Sequence, residues 1–379
     1  MAVKKDKKDE AKAKGKEEAV EMIMDVINKK YGAGSFMKLG TDKHVNAPVI
    51  PTGALTLDAA LGVGGIPRGR VSEIYGHEAS GKTTLTLHII AEAQKMGGNA
   101  AFIDAEHALD PVYAKALGVD TDNLYISQPD SAEEALDILE KVVASSAFDV
   151  VVLDSVAALV SRAELAGEMG DAHIALQARL MSHALRKLTA QISTTNTAVI
   201  FINQLRQNIQ ASGYGAGPTE ITTGGKALKF YASIRLDVRR TEWVKKGEDT
   251  IGHKIKIKVV KNKLSAPFKI VELEIIFGKG ISKEGLLIDM GLETKVLSRS
   301  GAWFYRNGEQ IAQGKERLRD MLEADEKFRA DLEAEIRSKL NIGKTAEVPA
   351  AGAGETADTA AGEGTEPEAL SEDTVIEKA

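Results

Sequence analysis

The spacing of apolar residues changes character along the chain. Between residues 17 and 31, Val20, Ile23, Met24, Ile27 and Tyr31 fall on one helical face and predict an amphipathic helix. A lone helix with an apolar stripe cannot fold by itself, so it must pack on its own core or on a neighbouring molecule. Gly32, Gly34 and Gly40 mark a linker after it. From about Val71, short continuous apolar runs alternate with helical patterns. "VSEIYG", "NAAFIDAE", "NLYIS", "FDVVVLDSV" and "TAVIFINQ" read as strands. "GKTTLTLHIIAEAQKM", "SAEEALDILEKVVASS" and "IALQARLMSHALRKLTAQI" read as helices, the second opened by a serine cap. Apolar strands separated by helices predict an α/β fold with a mainly parallel sheet covered on both faces. After Ala232, "IRLDVRR", "HKIKIKVVKNK" and "FKIVELEIIF" predict antiparallel strands that close one side. Residues 283–341 predict a small α+β unit ending in a charged helix. No internal repeat is visible.

Composition changes this picture at the ends. The hydrophobic fraction of 43% and charged fraction of 27% are ordinary for a globular protein and allow a sizeable core. No cysteine is present, which excludes disulfides and cysteine metal sites and suits a reducing, cytoplasmic setting. No apolar run approaches the ~18 residues of a membrane helix, so no membrane role is expected. The lysine-rich start lacks the apolar segment of a secretory signal. The net charge is −6, yet Thr345 to Ala379 alone carries nine acids and one lysine, so residues 1–344 sum to +2. That tail has almost no bulky apolar residue and is expected to be disordered.

The strongest chemical signal is "GHEASGKTT". Gly76, His77, Glu78, Ala79, Ser80, Gly81, Lys82, Thr83 and Thr84 lie between a predicted strand and a predicted helix. They match G-x-x-x-x-G-K-[ST], the phosphate-binding loop. Loop N–H groups converge on phosphate oxygens at a helix N-terminus, whose dipole also favours anions. Lys82 would reach the β- and γ-phosphates and Thr83 would hold Mg²⁺. Asp154, at the end of "VVVLD", suits a second Mg²⁺ contact. Glu106 lies just past the C-terminal edge of another strand, where ligands of open α/β sheets bind, and suits the orientation of water; Asp104 competes for that role. Gln204 ends the strand "IFINQ". Its amide suits either a γ-phosphate contact or a simple strand cap.

Two long loops follow strands of this sheet, at 157–175 and 206–224. The second contains "QASGYGAGPTEITTGG", with five glycines and one aromatic, Tyr214. Loops of that length inside a compact domain are usually functional or disordered. Next to the first loop, Leu176, Leu180, Leu185, Leu188 and Ile192 predict the inner face of a helix. Arg179, Ser182 and Arg186 share another face, which suits a nucleic-acid backbone or a plain solvated surface.

Taken together, "GHEASGKTTL", "FIDAEHALDP", "VVVLDSVAAL", "GDAHIALQARLMS", "IFINQLR", "TTGGKALKFYAS", "VVKNKLSAPF" and "GAWFYRNGEQIAQGKE" resemble the bacterial RecA family of DNA strand-exchange recombinases. The resemblance spans nearly all of residues 17–341. It implies a DNA-dependent ATPase that uses ATP and Mg²⁺ and forms a homo-oligomeric helical filament on single-stranded DNA. There it would pair the strand with double-stranded DNA and exchange strands, in recombinational repair. It also implies that the filament promotes self-cleavage of a LexA-type repressor in the SOS response. Four segments follow: an N-terminal helix/strand arm at 1–43, a RecA-type P-loop core at 44–282, a C-terminal α+β domain at 283–341 and an acidic tail at 342–379.

Residue by residue, the resemblance implies that Glu106 activates water and that Lys82, Thr83 and Asp154 serve phosphate and Mg²⁺. Asp110, Tyr113 and Phe277 would lie near adenine. Lys261 and Lys263 would reach the ATP of an adjacent protomer. Met169, Gly170, Asp171, His173 and Ile174 in the first loop, and Arg206, Tyr214, Gly224 and Gly225 in the second, would contact DNA. Arg179, Ser182 and Arg186 would lie on its backbone. Lys229, Phe230 and Arg235 would receive a neighbour's N-terminal segment. The chain departs from the family pattern in three places. His77 and Ala79 stand where Pro and Ser are usual, Phe277 stands where Tyr is usual, and the second loop is longer with fewer bulky apolar residues.

Overall fold

The structure is a computed structural model and describes residues 2–38, 48–168, 176–208 and 219–340. It begins with helix α1 (Ala2–Tyr31), which starts well before the expected Glu17 because the lysine-rich arm continues the same helix. Val20, Ile23 and Tyr31 of its apolar stripe remain exposed in the single chain. The arm was expected to hold a strand as well; among the described residues no strand precedes Val49. Two short strands, β1 (Val49–Ile50) and β2 (Ile66–Pro67), pair around α2 (Leu55–Leu61).

The core then alternates as its apolar pattern predicts. The elements are β3 (Val71–Gly76), α3 (Lys82–Lys95), β4 (Ala100–Asp104), α4 (Pro111–Ala116), β5 (Leu124–Ser127), α5 (Ala132–Ala144), β6 (Val150–Asp154), α6 (Arg162–Ala166), α7 (Leu176–Thr195) and β7 (Ala198–Asn208). After them come β8 (Thr219–Thr222), α8 (Ala227–Tyr231), β9 (Ile234–Lys246), β10 (Asp249–Asn262), β11 (Ile270–Ile276) and β12 (Gly280–Ile281). The order across the sheet is β12-β11-β10-β9-β3-β7-β6-β4-β5, with β8 attached to β7. From β9 through to β5 the main strands run parallel, and β10, β11 and β12 close the other side antiparallel.

Both faces of the sheet are buried, which explains the unbroken apolar runs. Val150, Val152, Ile200 and Ile202 pack beneath α2, α3 and α4. Val151, Leu153, Val199 and Phe201 point the other way, to α5, α7 and α8. On α7 the buried residues are Met181, Leu185, Leu188 and Ile192, while Leu180 is only partly covered. Ser131 caps α5 as predicted, accepting from the Glu134 N–H.

The C-terminal part comprises α9 (Lys283–Glu293), the meander β13 (Leu297–Ser300), β14 (Trp303–Arg306) and β15 (Glu309–Gln313), then α10 (Lys315–Ala324) and α11 (Glu326–Lys339). It has its own cluster around Leu287, Ile288, Phe304, Leu318 and Leu332, which Leu55 of α2 joins from the core.

Candidate active site and nucleic-acid interface

The ends of β3, β4, β6 and β7 lie at one edge of the sheet, and the candidate residues converge there. Between β3 and α3 the chain makes a tight turn. At Gly76 a Cβ would stand 2.0 Å from the Val238 carbonyl oxygen of β9, so only glycine fits. Gly81 precedes α3 with φ +88°, a left-handed conformation that favours glycine. Ala79 also has positive φ, 54°, a strain that persists where surroundings enforce it and that gathers at ligand sites. Among the described residues no side chain caps α3 and no acid sits in its first turn. Its first N–H groups are therefore left for an anion.

The side chains fit the same ligand. Ser80 Oγ is buried and has no partner among the described residues, an orphan that a phosphate oxygen would satisfy. Lys82 is buried and donates from Nζ to the His77 carbonyl at 2.7 Å. Burial holds its ammonium below the usual lysine range, opposed by the charges of Asp154, Glu106 and Glu78. Thr84 Oγ1 lies 2.9 Å from the Tyr113 hydroxyl.

Thr83 donates from Oγ1 to Asp154 Oδ2 at 2.7 Å. Burial pushes the Asp154 carboxyl up to about 6, against the pull of that hydrogen bond. A hydroxyl and a carboxylate side by side suit Mg²⁺, which takes few protein ligands and completes its shell with phosphates and water. Among the described residues no group of three or more histidines or acids could hold a metal alone. Substrate phosphate would therefore supply the remaining ligands.

Glu106 and Asp104 separate clearly. Asp104 is buried and accepts from the Ala108 and Leu109 N–H groups and from Gln128 Nε2, so it holds the turn after β4. Glu106 is exposed at the site. Its Oε1 accepts from Gln204 Nε2 at 2.9 Å and from the Ser155 hydroxyl. Gln204 is thus tied to the candidate base and is not merely a strand end. Ser155 was not anticipated from the sequence, though its place directly after Asp154 was the available signal.

Gln204 sits partway along β7, which continues to Asn208 and pairs antiparallel with β8. The sequence suggested a loop from 206 to 224. Seven of its residues, 206–208 at the end of β7 and Thr219–Thr222 in β8, are instead strand, and they form the two stems of a hairpin. At its base Asn203 donates to Glu73 Oε1 and to the Thr223 carbonyl, and Glu73 in turn accepts from Arg235. Gly224 and Gly225 leave no room for a side chain beside Val156 and Ala178. Arg206 is exposed.

Arg179, Ser182 and Arg186 do share a face, lining an open hollow on α7 with Ala178 and His183. Met169, Gly170, Asp171, His173, Ile174 and Tyr214 lie outside the described residues.

The remaining candidates lie on other elements. Lys261 donates from Nζ to the Lys229 and Phe230 carbonyls at 2.7 and 3.0 Å, and Lys263 reaches the Phe230 carbonyl at 3.3 Å. Both lysines therefore sit at the C-terminal end of α8 and not on the phosphate loop of their own chain. Burial, with Lys263 and Arg235 nearby, holds Lys261 below the usual lysine range. Phe230 is 70% exposed, whereas Arg235 is buried, paired with Glu73 and stacked 4.6 Å from the Tyr75 ring. Arg235 is thus not on the surface with Phe230. Asp110 caps α4 through the Val112 and Tyr113 N–H groups, and Phe277 is exposed beside the His253 ring. A cavity of 840 Å³ lies elsewhere, between α3 and the C-terminal part. Its lining charges pair with one another, as Lys283 with Glu92 and Lys279 with Glu323.

This fold and this edge define a P-loop ATPase of the mainly parallel-sheet type. The family model described as the RecA N-terminal domain matches residues 18–282, and that of the RecA C-terminal domain matches residues 285–341. "Protein RecA" of Salinispora tropica is 55% identical over 342 residues, covering 90% of this chain and 95% of its own. "Protein RecA" of Mycobacteroides abscessus is 57% identical over 333 residues, covering 88% and 95%. A solved structure, "Crystal structure of the RadB recombinase", aligns over 62% of this chain and 98% of its own at 22% identity and a TM-score of 0.46. The chain belongs to the RecA family, the DNA-dependent ATPases of recombinational DNA repair. With that membership come ATP binding at the phosphate loop, DNA binding and filament formation.

Proposed function

We propose that this chain carries out homologous pairing with the residues placed at the sheet edge. The carrying observation is the hydrogen bond from Gln204 to Glu106, because Gln204 stands on the strand that becomes the hairpin stem. A γ-phosphate that draws the Gln204 amide would release Glu106 toward water and move β7 in the same step. Lys82 would balance charge on the transferring phosphoryl group, and the loop N–H groups would hold its oxygens. Thr83 and Asp154 would hold Mg²⁺, which would supply further charge neutralisation to the phosphates. Lys261 and Lys263 would act on the ATP of an adjacent protomer, a reading supported by their hydrogen bonds to the carbonyls of α8 and not to their own phosphate loop. The exposed stripe of α1 and the exposed Phe230 support contacts between protomers in a filament, with Lys229 next to Phe230 on α8.

DNA would lie along α7 and the hairpin, with Arg179, Ser182, Arg186 and Arg206 on its phosphates. Strand exchange replaces one duplex by another of nearly the same sequence, so its net pairing energy is close to zero. Opening ten pairs unaided would still cost about 14 kcal/mol, at ~1.4 per stacking step. A filament holding both sets of strands removes that barrier, and ATP then serves assembly and turnover. The same reading includes Mg²⁺ dependence, assembly on single-stranded DNA, a cytoplasmic location where the DNA is, and activation of a LexA-type repressor. It keeps the boundaries 1–43, 44–282, 283–341 and 342–379; the family matches, 18–282 and 285–341, support the second and third of these limits.

The test is ATP turnover without DNA, with single strands and with duplex. Single strands should stimulate turnover strongly, and Lys82→Ala should abolish it in every condition. Turnover indifferent to DNA would point to a P-loop kinase, and rings in electron micrographs with ATP and DNA would point to a helicase.

A further inference from the structure

The hairpin that carries the second loop has two stems, and only one is tied to the ATP site through Gln204. The other, β8, carries Glu220. Its Oε1 lies 2.9 Å from His77 Nε2 on the phosphate loop. Its Oε2 accepts from Arg239 of β9 at 2.7 Å, and Arg239 is itself held by Asp237. The Arg239 hydrogen bond, with His77 adding to it, keeps the Glu220 carboxyl below the usual range, so it stays charged. The placement follows from the sheet. Gly76 pairs with Gln204 of β7 on one side and with Val238 of β9 on the other, so His77 emerges between Arg239 and the hairpin. Glu220 pairs with Gln207, three residues beyond Gln204.

His77 has a second contact, through its main chain. Its carbonyl accepts from Lys82 Nζ. A phosphate that takes up the Lys82 ammonium removes that donor from His77. One residue therefore touches the lysine that senses phosphate with its backbone and the hairpin with its ring. We infer that His77 and Glu220 are positioning residues that form a second link, beside Gln204 and Glu106, by which ATP sets the hairpin for DNA. Proline, usual at this position in the family, has only an acylated ring nitrogen with no hydrogen, which cannot make the contact. The link rests on the proposed coupling of ATP to DNA binding. It is half-exposed, with His77 and Glu220 side chains 53% and 31% accessible, so its effect is of the size of a surface ion pair.

The experiment measures the affinity of the full chain for a fluorescein-labelled oligothymidylate, with and without a non-hydrolysable ATP analogue and Mg²⁺. The ratio of the two affinities is the coupling. Glu220→Ala should lower that ratio by about two- to fivefold, the range of such pairs. Glu220→Gln keeps the acceptor and the shape, so it should retain more of the coupling. The double variant His77→Ala/Glu220→Ala should lose no more than the larger single loss, as one shared contact requires. An unchanged ratio in both Glu220 variants, or losses that add in the double variant, would overturn the link. So would weaker DNA binding by equal factors with and without nucleotide, which marks Glu220 as a DNA contact or a stem residue only. A wild-type ratio of one would instead sink the ATP–DNA reading itself.

Discussion

Glu106 and Asp104 stand two residues apart, and burial alone divides their roles. Asp104 is spent on backbone N–H groups and Gln128, while Glu106 is exposed and, among the described residues, accepts from Ser155 and Gln204. Glu106→Gln keeps the Gln204 contact in reach but cannot take a proton. It should bind ATP normally and hydrolyse it about 10²–10⁴-fold more slowly, the usual range for a lost general base. Filaments on DNA should then persist for as long as the nucleotide does. Equilibrium binding of a fluorescent ATP analogue beside steady-state turnover checks this, and loss of binding would make Glu106 a ligand. At this scale the sequence reveals what spacing encodes: Lys82 and Thr83 by motif, Asp154 and Glu106 by their position at strand ends. It hides what long-range pairing decides. The partner of His77 is 143 residues away, and Arg235 is drawn inward by Glu73 162 residues away. No local pattern records either pairing.

Among the elements, β10 and α8 bear on assembly. Lys261 near the end of β10 and Lys263 just past it donate to the Lys229 and Phe230 carbonyls of α8, where cations also suit the helix dipole. Their own phosphate loop lies across β9 and β3. Mixing Lys82→Ala protein with Lys261→Ala/Lys263→Ala protein should restore part of the ATP turnover, since some interfaces would join an intact loop to intact lysines. Cations supplied in trans to a phosphoryl group can be worth ~10³–10⁵ in rate, so even a small fraction of such interfaces is measurable. No rescue in mixed filaments shown to co-assemble would return the lysines to their own subunit. Most of these elements are legible because both sheet faces are buried and the apolar runs are continuous. β8 was missed because four residues between glycine-rich stretches give too short a pattern, although Thr219, Ile221 and Thr222 favour strands. The early start of α1 was missed because lysines and acids carry no periodic apolar signal.

Across the whole molecule, α2 joins the core to the C-terminal part. Its Asp58 is fully buried, accepts from the Thr52 N–H and hydroxyl, and lies 3.5 Å from Arg337 of α11. Burial pushes Asp58 up to about 7, with nearby Glu92 acting in the same direction and Thr52 and Arg337 opposing. The folded state therefore holds a proton that the unfolded chain releases near the ordinary value of 3.8. Stability is full below that value and falls as pH rises through about 7. Asp58 should account for a loss of about 2–3 kcal/mol between pH 5 and 8, and Asp58→Asn should remove most of it. Urea unfolding at the two pH values measures the difference. The acidic tail lies outside the described residues, but its charge has a consequence of its own. Tethered acids stay at high effective concentration near the basic surfaces and compete with DNA phosphates. A chain ending at Gly343 should bind duplex more tightly at low salt, with the gain shrinking as the Debye length falls to ~3 Å at 1 M. Equal affinity of the two chains at low salt would leave the tail without that role.

The register between β3 and β7 sets different tolerances for change in the chain's length. Gly76 is paired to Gln204 inside a sheet buried on both faces. One residue added before Gln204 would turn every following side chain of β7 to the opposite face and point the amide away from Glu106. Residues added between Asn208 and Thr219 alter neither pairing, because both stems are already fixed at the sheet. A change in the number of residues between the two stems therefore leaves the spacing from phosphate loop to stem as it is, whereas a change inside β7 does not.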